Sequence, residues 1–123
     1  MDRKAYVKPV SVLYVEDSND LREAIAMMME GDGREVVTCA TGEEALAKFA
    51  ERKFDVLVTD VSLPGMSGTN LVRCLLAINP AQPVVLCSGY QLGAASRHLG
   101  PNVRSLTKPF EAKDLNAVIN EIA

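Results

Sequence analysis

The chain has 123 residues, 48% of them hydrophobic and 24% charged, with no Trp and only 5% aromatic residues. That length suits one domain, and surface scaling buries about two-thirds of such a chain on folding, which excludes disorder and any need for staples. A net charge of −3, with the bases scattered along the chain, disfavours direct nucleic-acid binding, and so few aromatics make a stacking platform for single strands improbable.

Residues 1–9, carrying Arg3, Lys4 and Lys8, read as a frayed lead-in, and the domain proper runs over 10–123. Val10 to Val15 is the first strand; broken by Ser11, it is too short for a signal-peptide core or a membrane span, so a cytoplasmic protein is expected. Behind the cap candidates Ser18, Asn19 and Asp20, the residues Leu21, Ala24, Ile25, Met28 and Met29 recur at helical spacing up to Gly31 and Gly33. Met28 and Met29 fall on that stripe, which favours core packing over a soft partner-binding face. Val36 and Val37 form a short second strand, after which Thr41 to Glu44 has capping-box spacing and opens a helix through Phe49.

Phe54 to Asp60 is the third strand, apolar on both faces from Val56 to Val58 as a central strand must be. The loop Leu63 to Gly68 follows, and Ser67 caps a helix whose stripe is Leu71, Cys74, Leu75 and Ile78, closed by Asn79-Pro80. Pro83 to Ser88 is the fourth strand, broken by Gly89. Gln91 to Leu99 is a short helix with little apolar stripe, because Gly93, Ala94, Ala95 and Ser96 are small. Val103 to Thr107 is the fifth strand, and Leu115, Val118, Ile119 and Ile122 line the last helix. Five alternations of strand and helix predict a parallel sheet covered on both faces. The three cysteines, Cys39, Cys74 and Cys87, are odd in number, lack CxxC spacing and lie in apolar segments, which favours buried thiols over metal or redox work.

Right-handed crossovers bring the C-terminal ends of all strands to one edge of the sheet, where such folds bind ligands. The polar residues fall there: Glu16 and Asp17 after the first strand, Asp60 ending the third, Ser88 ending the fourth and Lys108 after the fifth. One acid after a strand is more often a solvated turn or a helix cap, but five compatible groups on one edge point to a site. Crowded carboxylates repel by about 4 kcal/mol per pair at 4 Å and an effective dielectric near 20, so a compensating divalent cation is implied. A set of carboxylates without His or Cys suits Mg²⁺, with Mn²⁺ as an alternative, rather than Zn²⁺. Metal, ammonium and hydroxyl together fit the oxygens of a phosphoryl group attacked in line by a carboxylate, and Asp60 on the central strand is best placed as nucleophile.

The acidic pair Glu16-Asp17, the segment Asp60 to Gly68, Ser88-Gly89 and Lys108-Pro109-Phe110 stand in an order and spacing that resemble the receiver domain of two-component response regulators, from about Ser11 to Ile122. The resemblance implies a flavodoxin-like, doubly wound five-stranded sheet of order 2-1-3-4-5 with five helices on its two faces. It implies that Asp60 is the phosphoacceptor, Asp17 a direct metal ligand, Glu16 an acid acting through water and the Ser62 backbone oxygen a further ligand. Ser88 and Lys108 would hold phosphoryl oxygens, Gly89 would leave the approach open, and the Lys108-Pro109 bond would be cis. The resemblance also implies that Ser62 and Tyr90 occupy positions that tune how fast the phosphoryl group is lost. The implied partners are a histidine kinase or phosphotransfer domain upstream and another protein downstream, with a monomer or weak dimer as the working state. Such a domain promotes only its own phosphorylation and dephosphorylation and is not otherwise an enzyme.

One position departs from the family pattern. The switch aromatic usually lies three residues before the lysine, where this chain has Ser105, and Tyr90 is the nearest substitute. That departure favours an excised or relay receiver, and it keeps open a phosphorylation-independent interaction module of the same fold. A haloacid-dehalogenase type of phosphohydrolase wants a second Asp two residues after the nucleophile, where Ser62 stands. A flavodoxin-type carrier wants a Gly, Ser or Thr phosphate cradle after the first strand, where this chain is acidic. His98, the only histidine, lies away from the acidic edge and reads as a surface residue rather than a phosphodonor.

Overall fold

The computed structural model describes residues 9–31, 33–90 and 98–123. Five strands, β1 (Ser11–Val15), β2 (Glu35–Cys39), β3 (Val56–Asp60), β4 (Val84–Ser88) and β5 (Val103–Thr107), pair in the order β2-β1-β3-β4-β5. All four pairings are parallel. The inner strands β1, β3 and β4 are buried at every position, which is why their sequences are apolar without alternation. The edge strands β2 and β5 are only half-buried.

Successive residues of each inner strand serve opposite faces. On one face Leu13, Val15, Leu57 and Leu86 pack with Ala45 of α2 (Gly42–Glu51) and with Leu71, Val72 and Leu75 of α3 (Gly68–Ile78). On the other, Val12, Tyr14, Val58, Val85 and Cys87 pack with Ile25 and Met29 of α1 (Asn19–Glu30) and with Leu115 and Ile119 of α4 (Ala112–Ile122). Ser18, Thr41 and Ser67 cap the first three helices, each side chain accepting from the backbone N–H three residues on. Four helices are present among the described residues; the fifth expected helix, Gln91 to Leu99, falls largely on 91–97, outside the described residues.

The helix stripes differ from their sequence reading. In α1 the buried line is Ile25, Ala26 and Met29, whereas Leu21, Ala24 and Met28 are exposed. This helix packs mainly on β1, β2 and α4 among the described elements, so a narrow line is covered rather than a broad stripe. In α3 the buried line is Leu71, Val72, Leu75 and Leu76, rotated away from Cys74 and Ile78. Ile78 is 81% exposed and Cys74 is an exposed thiol. Ile78 borders an apolar groove of about 850 Å³, with Leu46, Phe49 and Leu75, at the sheet edge where the strands begin. Cys39 and Cys87 are buried as expected, and burial pushes their thiols up to about 11 and about 12, so both stay protonated.

Candidate functional site

The C-terminal strand edge gathers the acidic residues. Glu16 continues β1, its N–H donating to the Cys39 carbonyl at 3.1 Å, and its side chain is only 2% exposed. Its Oε2 accepts from the Ser18 N–H at 3.0 Å, and Arg22 of α1 donates to the Glu16 carbonyl at 2.8 Å. The same guanidinium also bonds Asn19, so the turn between β1 and α1 is held from both sides. Asp17 is exposed beside it. Asp60 ends β3 and is 6% exposed. Oxygens of Glu16, Asp17 and Asp60 all lie within 4.8 Å of one another.

The Lys108 N–H donates to the Ser88 carbonyl at 2.7 Å, tying the end of β5 to that of β4 and delivering the lysine to the acids. Its Nζ lies 2.6 Å from Asp60 Oδ1 and 3.6 Å from Glu16 Oε1. Burial lowers the Lys108 pKa, but Asp60 and then Glu16 raise it more, and the net position is above the ordinary lysine value. The Lys108–Pro109 peptide is cis, as the resemblance implied.

The Lys108 ammonium is the partner of Asp60 Oδ1, whereas the buried Glu16 Oε1 receives no hydrogen bond and has only the more distant ammonium beside it. A buried carboxylate oxygen without a hydrogen bond, crowded by two further carboxylates, is costly alone and is what a hard divalent cation relieves. The residues present therefore fit such an ion, with Glu16, Asp17 and Asp60 as its acids.

Ser88 is buried at the end of β4, where its hydroxyl accepts from the Tyr90 N–H at 3.1 Å. Among the described residues, a Cβ added to Gly89 would meet nothing within 4 Å. Ser62 lies exposed in the loop after β3, and Tyr90 is 62% exposed. Ser105 is half-buried on β5, paired with Leu86. His98 is exposed. The fold thus brings Glu16, Asp17, Asp60 and Lys108 together, with Ser88 at the adjoining strand end. Arg22 and Gly68 also shape the site; Arg22 carried no sequence signal of that role, whereas Gly68 closes the segment on which the resemblance rests. A Cβ on Gly68 would stand 1.7 Å from the Asp60 carbonyl oxygen.

Lys108→Ala leaves Glu16 and Asp60 buried without the ammonium. Breaking a buried pair from one side typically costs 3–5 kcal/mol, and with Lys108 one-third exposed about 2 kcal/mol is expected in urea melts with chelator present. An added divalent cation should stabilise this variant more than the wild type. Because the pKa is raised in the fold, the lysine's contribution is complete below the ordinary lysine value of 10.5 and is lost only as pH rises through the folded value.

Residues 12–120 match the family model for the response regulator receiver domain, and the chain belongs to that family. Receiver domains are signalling modules rather than enzymes of metabolism. The chain is 38% identical over 116 residues to the probable transcriptional regulatory protein TcrX of Mycobacterium tuberculosis, covering 92% of this chain and 49% of that protein. It is 31% identical over 117 residues to the response regulator receiver protein CpdR of Brucella abortus, covering 90% of this chain and 92% of that one. The chemotaxis response regulator CheY4 of Vibrio cholerae superposes with a TM-score of 0.85 at 27% identity, covering 94% of this chain and all of that one. The chain spans about half the length of TcrX, and of the sensory transduction protein RegX3 of Mycolicibacterium smegmatis, of which it covers 50%. Among the described residues no helix is long and apolar enough to cross a membrane.

Proposed function

We propose that Asp60 accepts a phosphoryl group from the phosphohistidine of a histidine kinase or phosphotransfer domain, and that the acquired charge changes which protein this domain binds. The observation that carries this reading is the Lys108 ammonium 2.6 Å from Asp60 Oδ1, where oxygens of Glu16, Asp17 and Asp60 lie within 4.8 Å of one another. An Asp60 carboxylate oxygen attacks phosphorus in line, a new O–P bond forms as the P–N bond breaks, and the departing imidazole keeps the electron pair and takes up a proton. Lys108 and the Ser88 hydroxyl hold phosphoryl oxygens, and Gly89, without a side chain, leaves the approach to Asp60 clear.

Mg²⁺, or Mn²⁺ in its place, would be held by Asp17, Asp60 and the Ser62 carbonyl with Glu16 through water, and would supply charge neutralisation for the incoming phosphoryl oxygens. Ser62 and Tyr90, both exposed beside the site, set the lifetime of the acyl phosphate, and the domain promotes its own dephosphorylation. It works in the cytoplasm as a monomer or weak dimer without touching nucleic acid itself. With Ser105 in place of an aromatic, the conformational signal runs through other residues of the β4 and β5 ends, Tyr90 among them.

The test is incubation with acetyl phosphate. With Mg²⁺ the intact mass should rise by one phosphoryl group that hydroxylamine removes, and chelator should prevent the gain. A folded protein that gains nothing would instead act as a phosphorylation-independent interaction module, the reading that Ser105 favours.

A further inference from the structure

We infer that Glu43, on the first turn of α2, is a positioning residue for the acceptor site, holding the far end of the loop that follows Asp60. The inference rests on the proposed role of the Ser62 carbonyl, which lies on that loop. The root of the loop is fixed by the sheet: the Val61 N–H donates to the Cys87 carbonyl at 3.0 Å, and the Gly68 N–H returns to the Val61 carbonyl at 2.8 Å. Its tip has no strand beside it; Pro64 and Gly65 are exposed, and Leu63 and Met66 only half-buried.

At that tip Glu43 Oε1 accepts from the Met66 N–H at 3.1 Å. Gly65 turns through a positive φ of 71°, which brings its backbone under the same carboxylate: an added Cβ would lie 3.2 Å from Oε2 and 3.4 Å from Oε1. Gly42 lets α2 approach as closely, since a Cβ there would lie 3.3 Å from Met66 Cβ, Cγ and Sδ. Glu43 is not needed to cap its own helix, because the Thr41 hydroxyl already accepts from the Glu44 N–H. Its carboxylate therefore serves another element, and the acceptor oxygen it offers to the loop amide is a local tether. Pinned at root and tip, the intervening Ser62 is held in place for the cation before any cation arrives.

The test is titration of Mg²⁺ followed by the backbone amide resonances of the site, with thermal melts alongside. Glu43→Ala should weaken Mg²⁺ binding about tenfold, in the range found for groups that orient metal ligands, shift the Met66 amide resonance, and leave the melting temperature near wild type. Glu43→Gln retains an acceptor oxygen and should restore affinity. Equal weakening in both variants would assign the effect to charge and overturn the tether; so would wild-type affinity in Glu43→Ala, or a melting temperature that falls in step with affinity. Absence of Mg²⁺ binding in the wild type would sink the receiver chemistry itself, a separate outcome.

Discussion

Asp60→Asn should abolish phosphoryl uptake from acetyl phosphate, with no mass gain under conditions that label the wild type fully. The amide fills the same volume but has no anionic oxygen to attack phosphorus, and no other carboxylate stands on the central strand with Lys108 2.6 Å away. The fold should survive. The substitution loses one attraction to a one-third-exposed ammonium, but it also removes the repulsion from Glu16 and Asp17 and the cost of keeping a charge at a 6%-exposed position. Metal-free stability within about 1 kcal/mol of wild type is therefore expected by urea titration. Labelling that persists in this variant would move the acceptor to another residue and remove the central claim.

Gly68→Ala should cost about 3 kcal/mol or more and impair labelling as well. The added methyl would stand 1.7 Å from the Asp60 carbonyl oxygen, 2.8 Å from its carbon and 3.1 Å from the Val61 Cα. These are backbone atoms, and the Val61 N–H beyond them is engaged with the Cys87 carbonyl, so nothing can move aside without disturbing the β3–β4 ladder. The reason for a glycine here is close approach, not conformational freedom. Urea titration measures the loss, and the same sample tested with acetyl phosphate shows whether the acceptor carboxylate has been displaced with its carbonyl. A fully stable Gly68→Ala protein would mean that the start of α3 can retreat from β3.

The sheet was legible because its inner strands are buried on both faces: a run such as Val56 to Val58, apolar without alternation, has few other interpretations. The acids and the lysine were legible for a related reason, since each directly ends or follows such a strand and parallel strands end together. Helix phase was harder to read. Leu21, Met28, Cys74 and Ile78 are apolar at helical spacing, yet face outward, because the width of a covered stripe depends on how many neighbours a helix has. The grip of Arg22 on the Glu16 carbonyl and of Glu43 on Met66 could not be read at all. Both are side-chain bonds to another segment's backbone, which leaves no mark in the type of residue at the receiving position.

The groups of the site come from places far apart in the chain, with Glu16 near its beginning and Lys108 near its end. A polypeptide emerging from the ribosome holds its carboxylates long before it holds the ammonium that completes them, and the lysine reaches them only once the fifth strand has docked. A copy that stops short of the fifth strand therefore carries the crowded carboxylates without the positive charge that stands 2.6 Å from Asp60.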